Sequence, residues 1–235
     1  MSAAVCTRAV LFDLGNTLVA YYVAADFARI LRECLRNCVD VLAVDGGDEE
    51  ELLQRALALN VDRPENAVWP LAERLRVLFG DRVSDPRMLE SVTQAFLQPI
   101  FAIATLDADA LPVLARLRQR GIRTAIVSNL PWGSPAAPWR LELERHGLLA
   151  AVDAAVFCVD VGHRKPHPAP IERALQLLHV EPGEAVFVGD DPRWDVAGAE
   201  RAGVRPILLS RLPGHGVGES VPVVRDLRSV LDHVF

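Results

Sequence analysis

Five short apolar runs punctuate the chain, and each closes on polar residues: RAVLFDL (8–14), RTAIVSN (123–129), AAVFCVD (154–160), EAVFVGDD (184–191) and VRPILLS (204–210). Unbroken runs of this length, rich in Val, Ile and Phe, predict strands covered on both faces, as in a parallel sheet. Between them the apolar spacing changes to threes and fours. ALPVLARLRQRG precedes the second run, PIERALQLLH the fourth and PRWDVAGAERAG the fifth. This alternation predicts an α/β fold, a Rossmann-like doubly wound parallel sheet.

Residues 20–105 break the alternation. Phe27, Ile30, Leu31, Cys34, Leu35, Cys38 and Leu42 fall on one helical stripe, and EEELLQRALAL, PLAERLRVLF and RMLESVTQAFLQPIF repeat the habit. The pattern predicts an all-helical insert over 20–105 and a core assembled from 1–19 and 106–235. Turns are expected at Gly46-Gly47-Asp48 and at Pro64, Pro70 and Pro86. The tail, RLPGHGVGESVPVVRDLRSVLDHVF, reads as a loop, a short strand and a final helix.

Composition narrows the partners. At 235 residues and 51% hydrophobic the chain can bury a sizeable core. A net charge of −6 supplies no basic footprint for nucleic acid, which directs attention to a small-molecule partner. No apolar run approaches the roughly 18 residues of a membrane span, and MSAAVCTRAV lacks the pattern of a signal peptide. A cytoplasmic protein without a membrane partner is the expectation. Cys34 and Cys38 lie four apart on a helical face and, with Cys6 and Cys158, are expected to be buried free thiols. His163 and His167 have no cysteine nearby and sit in a Pro-rich loop, so zinc is not expected.

Charge placement changes the picture most. The chain holds 24 arginines and one lysine, Lys165, which raises the question of what that site needs from a compact ammonium that a planar guanidinium cannot supply. In open α/β sheets ligands bind beyond the carboxyl ends of the strands. Those ends carry Asp13, Ser128-Asn129 and Asp190-Asp191, with Lys165 just past the third run. Carboxylates gathered there need compensating cations, and Mg²⁺ with one ammonium would serve.

The segments DLGNT (Asp13, Thr17), VSN (Ser128), RKP (Lys165) and GDDPRWD (Asp190, Asp195) together resemble the four motifs of the haloacid dehalogenase-like hydrolase superfamily. Order and strand context agree over nearly the whole chain. The helical insert resembles the all-helical cap placed between motifs one and two in the phosphatase-type members. The resemblance implies that Asp13 is a nucleophile that becomes an aspartyl phosphate, and that Mg²⁺ is held by Asp13, Asp190 and the backbone carbonyl of Gly15. It implies that Asp195 holds Lys165 or a metal-bound water. Ser128, Lys165 and backbone amides near Asn16, Thr17 and Asn129 would hold the phosphoryl oxygens of a small phosphorylated substrate. Asp191, just before Pro192, reads instead as a helix N-cap. Tyr21, Tyr22, Trp69, Trp132 and Trp139 read mostly as packing residues, with Tyr21, Tyr22 and Trp132 close enough to the motifs to line a pocket.

One position departs from the pattern. Phosphatases of the superfamily usually carry a second aspartate two residues after the nucleophile, where this chain has Gly15. The dehalogenase branch lacks that aspartate too, but also lacks the Gly-Asp metal motif that is intact here. The phosphonoacetaldehyde hydrolase branch uses a cap lysine, and this insert has none. The expectation is a Mg²⁺-dependent phosphoric monoester hydrolase, with a binding protein of the same fold as the alternative and a 2-haloacid dehalogenase third.

Overall fold

A computed structural model describes residues 7–43, 47–211 and 221–235; Cys6, Gly46 and most of the expected tail loop lie outside them. In chain order the elements begin with β1 (Ala9–Phe12) and the two-residue β2 (Val19–Ala20). Four helices follow: α1 (Phe27–Leu42), α2 (Glu49–Ala58), α3 (Leu71–Phe79) and α4 (Pro86–Ala102). The chain then returns through β3 (Thr105–Leu106), α5 (Ala110–Gln119), β4 (Arg123–Ser128), α6 (Ala136–Arg145), α7 (Leu148–Ala151) and β5 (Ala154–Phe157). It closes with α8 (Cys158–Val161), α9 (Ala169–Leu178), β6 (Ala185–Gly189), α10 (Ala197–Arg201), β7 (Arg205–Leu209) and β8 (Val223–Val224).

Among the described residues, six strands form one parallel sheet in the order β5-β4-β1-β6-β7-β8. Alternation within the runs explains why both faces are covered. Val10 and Phe12 of β1, Ile126 of β4, and Val186 and Val188 of β6 join one apolar cluster. Ala9 and Leu11, Ala125 and Val127, and Ala185 and Phe187 join another on the opposite face. The central β1 has its next strands in sequence on opposite sides, so the order reverses around it and a crevice opens beyond its carboxyl end.

The third run departs from expectation. It stays extended only to Phe157; Cys158–Val161 turn into a short helix, because Asp160 reaches back to accept the Phe157 amide at 2.9 Å and bonds Arg140 at 2.9 Å. The helical stretch before the fifth run begins as a wide π-type turn over Pro192–Val196 ahead of α10. The final helix is a 3₁₀ segment, Arg228–His233.

The helical insert is bounded by β2 and β3, which pair antiparallel (Val19 with Leu106, Ala20 with Thr105). Ile30, Leu31, Cys34, Leu35 and Cys38 of α1 are buried, and the Cys38 thiol lies 3.6 Å from the Val92 carbonyl of α4. Cys34, Cys38 and Cys158 are free and buried. Asp48 caps α2 by accepting from the Glu50 amide at 2.8 Å, and Asp85 with Pro86 starts α4 in the same way. Among the described residues no helix is long and apolar enough to cross a membrane. A surface hollow of about 490 Å³, lined by Arg8, Arg120, Arg123 and Phe235 among others, lies at the amino ends of the strands, away from the polar residues discussed next.

Candidate active site

The sheet brings the polar residues together at its carboxyl edge. Asp13 directly follows β1, its backbone amide still bonded to the Val188 carbonyl at 2.8 Å; Ser128 ends β4, and Asp190 directly follows β6. Lys165 arrives on the loop between α8 and α9. That loop is fixed by Asn129, whose side chain accepts from the Lys165 amide at 2.8 Å and donates to the Lys165 carbonyl at 3.0 Å.

The Lys165 ammonium is 1% exposed and donates three bonds: to Asp13 Oδ1 at 2.6 Å, Asp195 Oδ1 at 2.7 Å and the Val127 carbonyl at 2.7 Å. One tetrahedral nitrogen satisfies three converging acceptors, which answers the question raised by the lone lysine. A guanidinium would spread its donors over a plane and fill the space between the acceptors. All three ammonium protons are thereby engaged by the protein. A phosphoryl oxygen can bond Lys165 only by displacing one of these acceptors, a constraint invisible in the sequence.

Asp195 is aimed by the π-type turn. Asp191 caps it, accepting from the Arg193 and Trp194 amides at 2.7 and 3.2 Å, while the Asp195 amide bonds the Asp191 carbonyl at 2.8 Å. The second Asp195 oxygen accepts from the Asp191 amide at 3.0 Å. Gly189 makes room for this arrangement: a Cβ there would stand 2.3 Å from the Asp195 carboxyl carbon.

Three carboxylates, Asp13, Asp190 and Asp195, place oxygens within 4.8 Å of one another. Burial pushes the Asp13 carboxyl up to about 6; Lys165 opposes that rise and Asp195 adds to it. Burial, followed by the charges of Asp13, Asp195 and Asp191, pushes Asp190 up to about 8. Lys165 is raised, because the pull of Asp13 and Asp195 outweighs its burial. We read the Lys165–Asp13 pair as ammonium and carboxylate at neutral pH, with Asp190 short of a counter-charge. A hard divalent cation suits this all-oxygen donor set of Asp13, Asp190 and Asp195.

Thr17 is fully buried with an unpartnered hydroxyl, as expected of a group awaiting a ligand oxygen. Asn16 differs from expectation. Its φ is +55°, its amide bonds the Val19 carbonyl at 2.7 Å, and its side chain bridges the Tyr21 amide and the Tyr22 carbonyl at 3.2 Å each. Asn16 therefore shapes the turn, and its backbone amide is not free to bind an anion. Sequence reasoning also missed Arg211, which bonds the Asn16 and Thr17 carbonyls and reaches Asp107 at 2.6 Å, tying the loop after Asp13 to the end of β3. Its only signal is a lone arginine just beyond β7. His163 and His167 stack at 4.1 Å and bond their own loop, at the Val161 carbonyl and the Ala169 amide.

The chain is similar in sequence and fold to known phosphatases. The chain is 28% identical over 204 residues to the glyceraldehyde 3-phosphate phosphatase of Methanopyrus kandleri, covering 87% of this chain and 84% of that protein. It is 39% identical over 203 residues to the phosphoglycolate phosphatase of Rhodospirillum rubrum, covering 86% and 79%. Its fold superposes on the crystal structure of a HAD phosphatase from Thermococcus onnurineus with a TM-score of 0.71 at 24% identity, over 97% of this chain and 98% of that one. Residues 7–203 match the haloacid dehalogenase-like hydrolases, and the chain belongs to that family.

Proposed function

We propose that the protein is a Mg²⁺-dependent phosphoric monoester hydrolase acting through an aspartyl-phosphate on Asp13. The observation that carries this reading is the buried Lys165 ammonium, held between Asp13 and Asp195 at 2.6 and 2.7 Å beside a third carboxylate with a strongly raised pKa. Phosphatase relatives, including one named for phosphoglycolate, support it.

In this reading the free Asp13 oxygen attacks phosphorus, the ester oxygen departs, and water then cleaves the acyl phosphate to regenerate the carboxylate. Lys165 keeps Asp13 ionised and oriented, and Asp195 holds Lys165 in place. The Thr17 and Ser128 hydroxyls, with backbone amides at Thr17 and Asn129, receive the phosphoryl oxygens; Asn16 acts by shaping the turn. Asp13, Asp190 and the Gly15 carbonyl would hold Mg²⁺, which when bound supplies positive charge against the transferring group. The helical segment 20–105 serves as a cap over a core formed by 1–19 and 106–235.

The test is Asp13→Asn. Phosphate release should vanish while the melting temperature holds, and beryllium fluoride should protect wild type alone against thermal unfolding. Turnover near wild type in the variant would refute the mechanism. A binding protein without turnover is the second reading, favoured by Gly15; Mg²⁺ binding with no phosphate release from sugar, nucleotide, aryl or acyl phosphates would establish it.

A further inference from the structure

Four buried side-chain polar atoms among the described residues have no hydrogen-bond partner: Thr17 Oγ1, the Tyr21 hydroxyl, Trp132 Nε1 and Arg164 Nε. All four can donate, and each belongs to a segment that borders the site. Thr17 is accounted for by the phosphate. Trp132 and Arg164 belong to a second feature, a set of arginines laid on indole rings. Arg63 lies 4.1 Å over Trp69; Arg74 lies 4.9 Å over Trp69 and 5.1 Å over Trp132; Arg164 lies 5.1 Å over Trp194.

Charge here is unbalanced. Arg74 is 3% exposed and, among the described residues, donates only to backbone carbonyls, of Trp69 at 3.2 Å and Leu59 at 2.9 Å. Neither Arg74 nor Arg63 forms an ion pair with any described carboxylate, and Arg164 reaches Asp62 at 3.5 Å, a carboxylate that also binds Arg193. Arg164 and Arg193 thus share one carboxylate, and Arg63 and Arg74 beside them pair with none among the described residues, in a chain of net charge −6. Burial, and then the charges of Arg164 and Arg63, push Arg74 down to about 10, so these cations feel one another. A buried cation without a counter-ion is costly, and an incoming anion would offset that cost.

The cluster is also tied by backbone hydrogen bonds to the loop that carries Lys165. The Arg164 amide donates to the Asn66 carbonyl at 2.8 Å and the Val68 amide to the Gly162 carbonyl at 2.9 Å, joining the insert to the loop that carries Lys165. A Cβ on Gly133 would stand 2.2 Å from the Trp69 carbonyl, so the insert also meets the segment after β4 too closely for any other residue.

We propose that this seam binds a second anionic group on the substrate, a carboxylate or a further phosphate, gripped by Arg74 and Arg164 with Trp132 Nε1 as a third donor. The proposal rests on the phosphatase reading and names its substrate class: phosphomonoesters that carry another anion. Charge-assisted bonds from a guanidinium give directional, bidentate recognition of either group.

The experiment compares substrates that share a leaving bond and differ by one anion. Phenyl phosphate is set against 4-carboxyphenyl phosphate, and glucose 1-phosphate against glucose 1,6-bisphosphate with release followed at the anomeric position. The added anion should raise kcat/KM about tenfold or more, mainly through KM. The pair that shows the effect identifies the anion. In Arg164→Gln and Arg74→Gln the ratio should collapse toward one, and the effect in wild type should weaken with salt. A ratio near one for both pairs in wild type, or one that survives in a folded Arg164→Gln protein, overturns the proposal. A second arm needs no turnover: calorimetric titration of Asp13→Asn with phosphoglycolate and with ethyl phosphate should show about tenfold tighter binding of the former, lost on adding Arg164→Gln. Equal affinities overturn the second-anion site. Absence of all turnover alongside a clear calorimetric preference overturns the hydrolase reading and leaves the anion site standing.

Discussion

Replacing Gly15 by aspartate should convert the leaving-group preference of the enzyme. Gly15 lies two residues beyond Asp13 and outside the left-handed region, and a Cβ there meets only Tyr21 Cδ2, at 3.8 Å. That is ordinary van der Waals contact, so the backbone accepts a side chain without strain. The new carboxyl would enter a buried site beside Asp13 and Asp190, where desolvation favours its protonated form. A positioned general acid contributes about 10²–10⁴ in rate, or roughly 3–5 kcal/mol of barrier. With a fourth carboxylate added to the cluster the lower end is expected, about a hundredfold gain in kcat/KM on glycerol phosphate. Phenyl and 4-nitrophenyl phosphates, whose oxygens depart with little protonation, should change far less. The assay is phosphate release across esters of graded leaving-group pKa, plotted as log kcat/KM. Wild type should fall steeply with basicity and Gly15→Asp should flatten the line, with Gly15→Asn as a control that keeps shape without the proton. A shallow line in wild type would show that another residue supplies the proton. An unchanged slope in a Gly15→Asp protein that melts normally and retains aryl turnover would refute the argument as well.

Other outcomes follow from the same geometry. Lys165→Arg keeps the charge but cannot seat three acceptors on one atom, so phosphate release should fall at least about a hundredfold, whereas Arg118→Lys, at an exposed position, should be silent in the same assay. Gly189→Ala should displace Asp195 from Lys165, lowering both activity and melting temperature, because the added Cβ would stand 2.3 Å from the Asp195 carboxyl carbon. In the metal-free protein the raised Asp190 pKa stabilises the fold below its ordinary value of 3.8, and that contribution is lost as pH rises through about 8. Mg²⁺ competes with the proton there, so its stabilising shift in melting temperature should be larger at pH 8.5 than at pH 6. A shift that shrinks with pH would place the ion elsewhere.

The sheet was legible because its strands are apolar runs that end abruptly in Asp, Ser or Asn, a change of character that burial imposes on local sequence. The site followed for the same reason: Asp13, Ser128 and Asp190 are set by where strands stop. Lys165 stood out only as the lone lysine and through its resemblance to a family motif. What the sequence withheld depends on distant groups. The third run looked like strand through Asp160 because Cys158 and Val159 are as apolar as the residues before them, and the Asp160 turn that stops it is a local hydrogen bond, not a pattern. Asn16 resembled a phosphate ligand until its amide was found on Val19. The need for glycine at 189 arises from a residue six positions away brought close by a π-type turn. The Arg63-Trp69-Arg74-Trp132 stack joins residues from two halves of the chain, so no window of sequence contains it.

The seat of Lys165 has a consequence for covalent chemistry. Acyl donors, aldehydes and isocyanates attack the neutral amine, and the one side-chain amine in these 235 residues is both sealed from solvent and held protonated by two carboxylates. While folded, the protein should be nearly blind to acetylation and to every lysine-directed label at the side-chain level. Modification of Lys165 then becomes a record of unfolding: each acylated side chain marks a molecule that opened its core during exposure to the reagent.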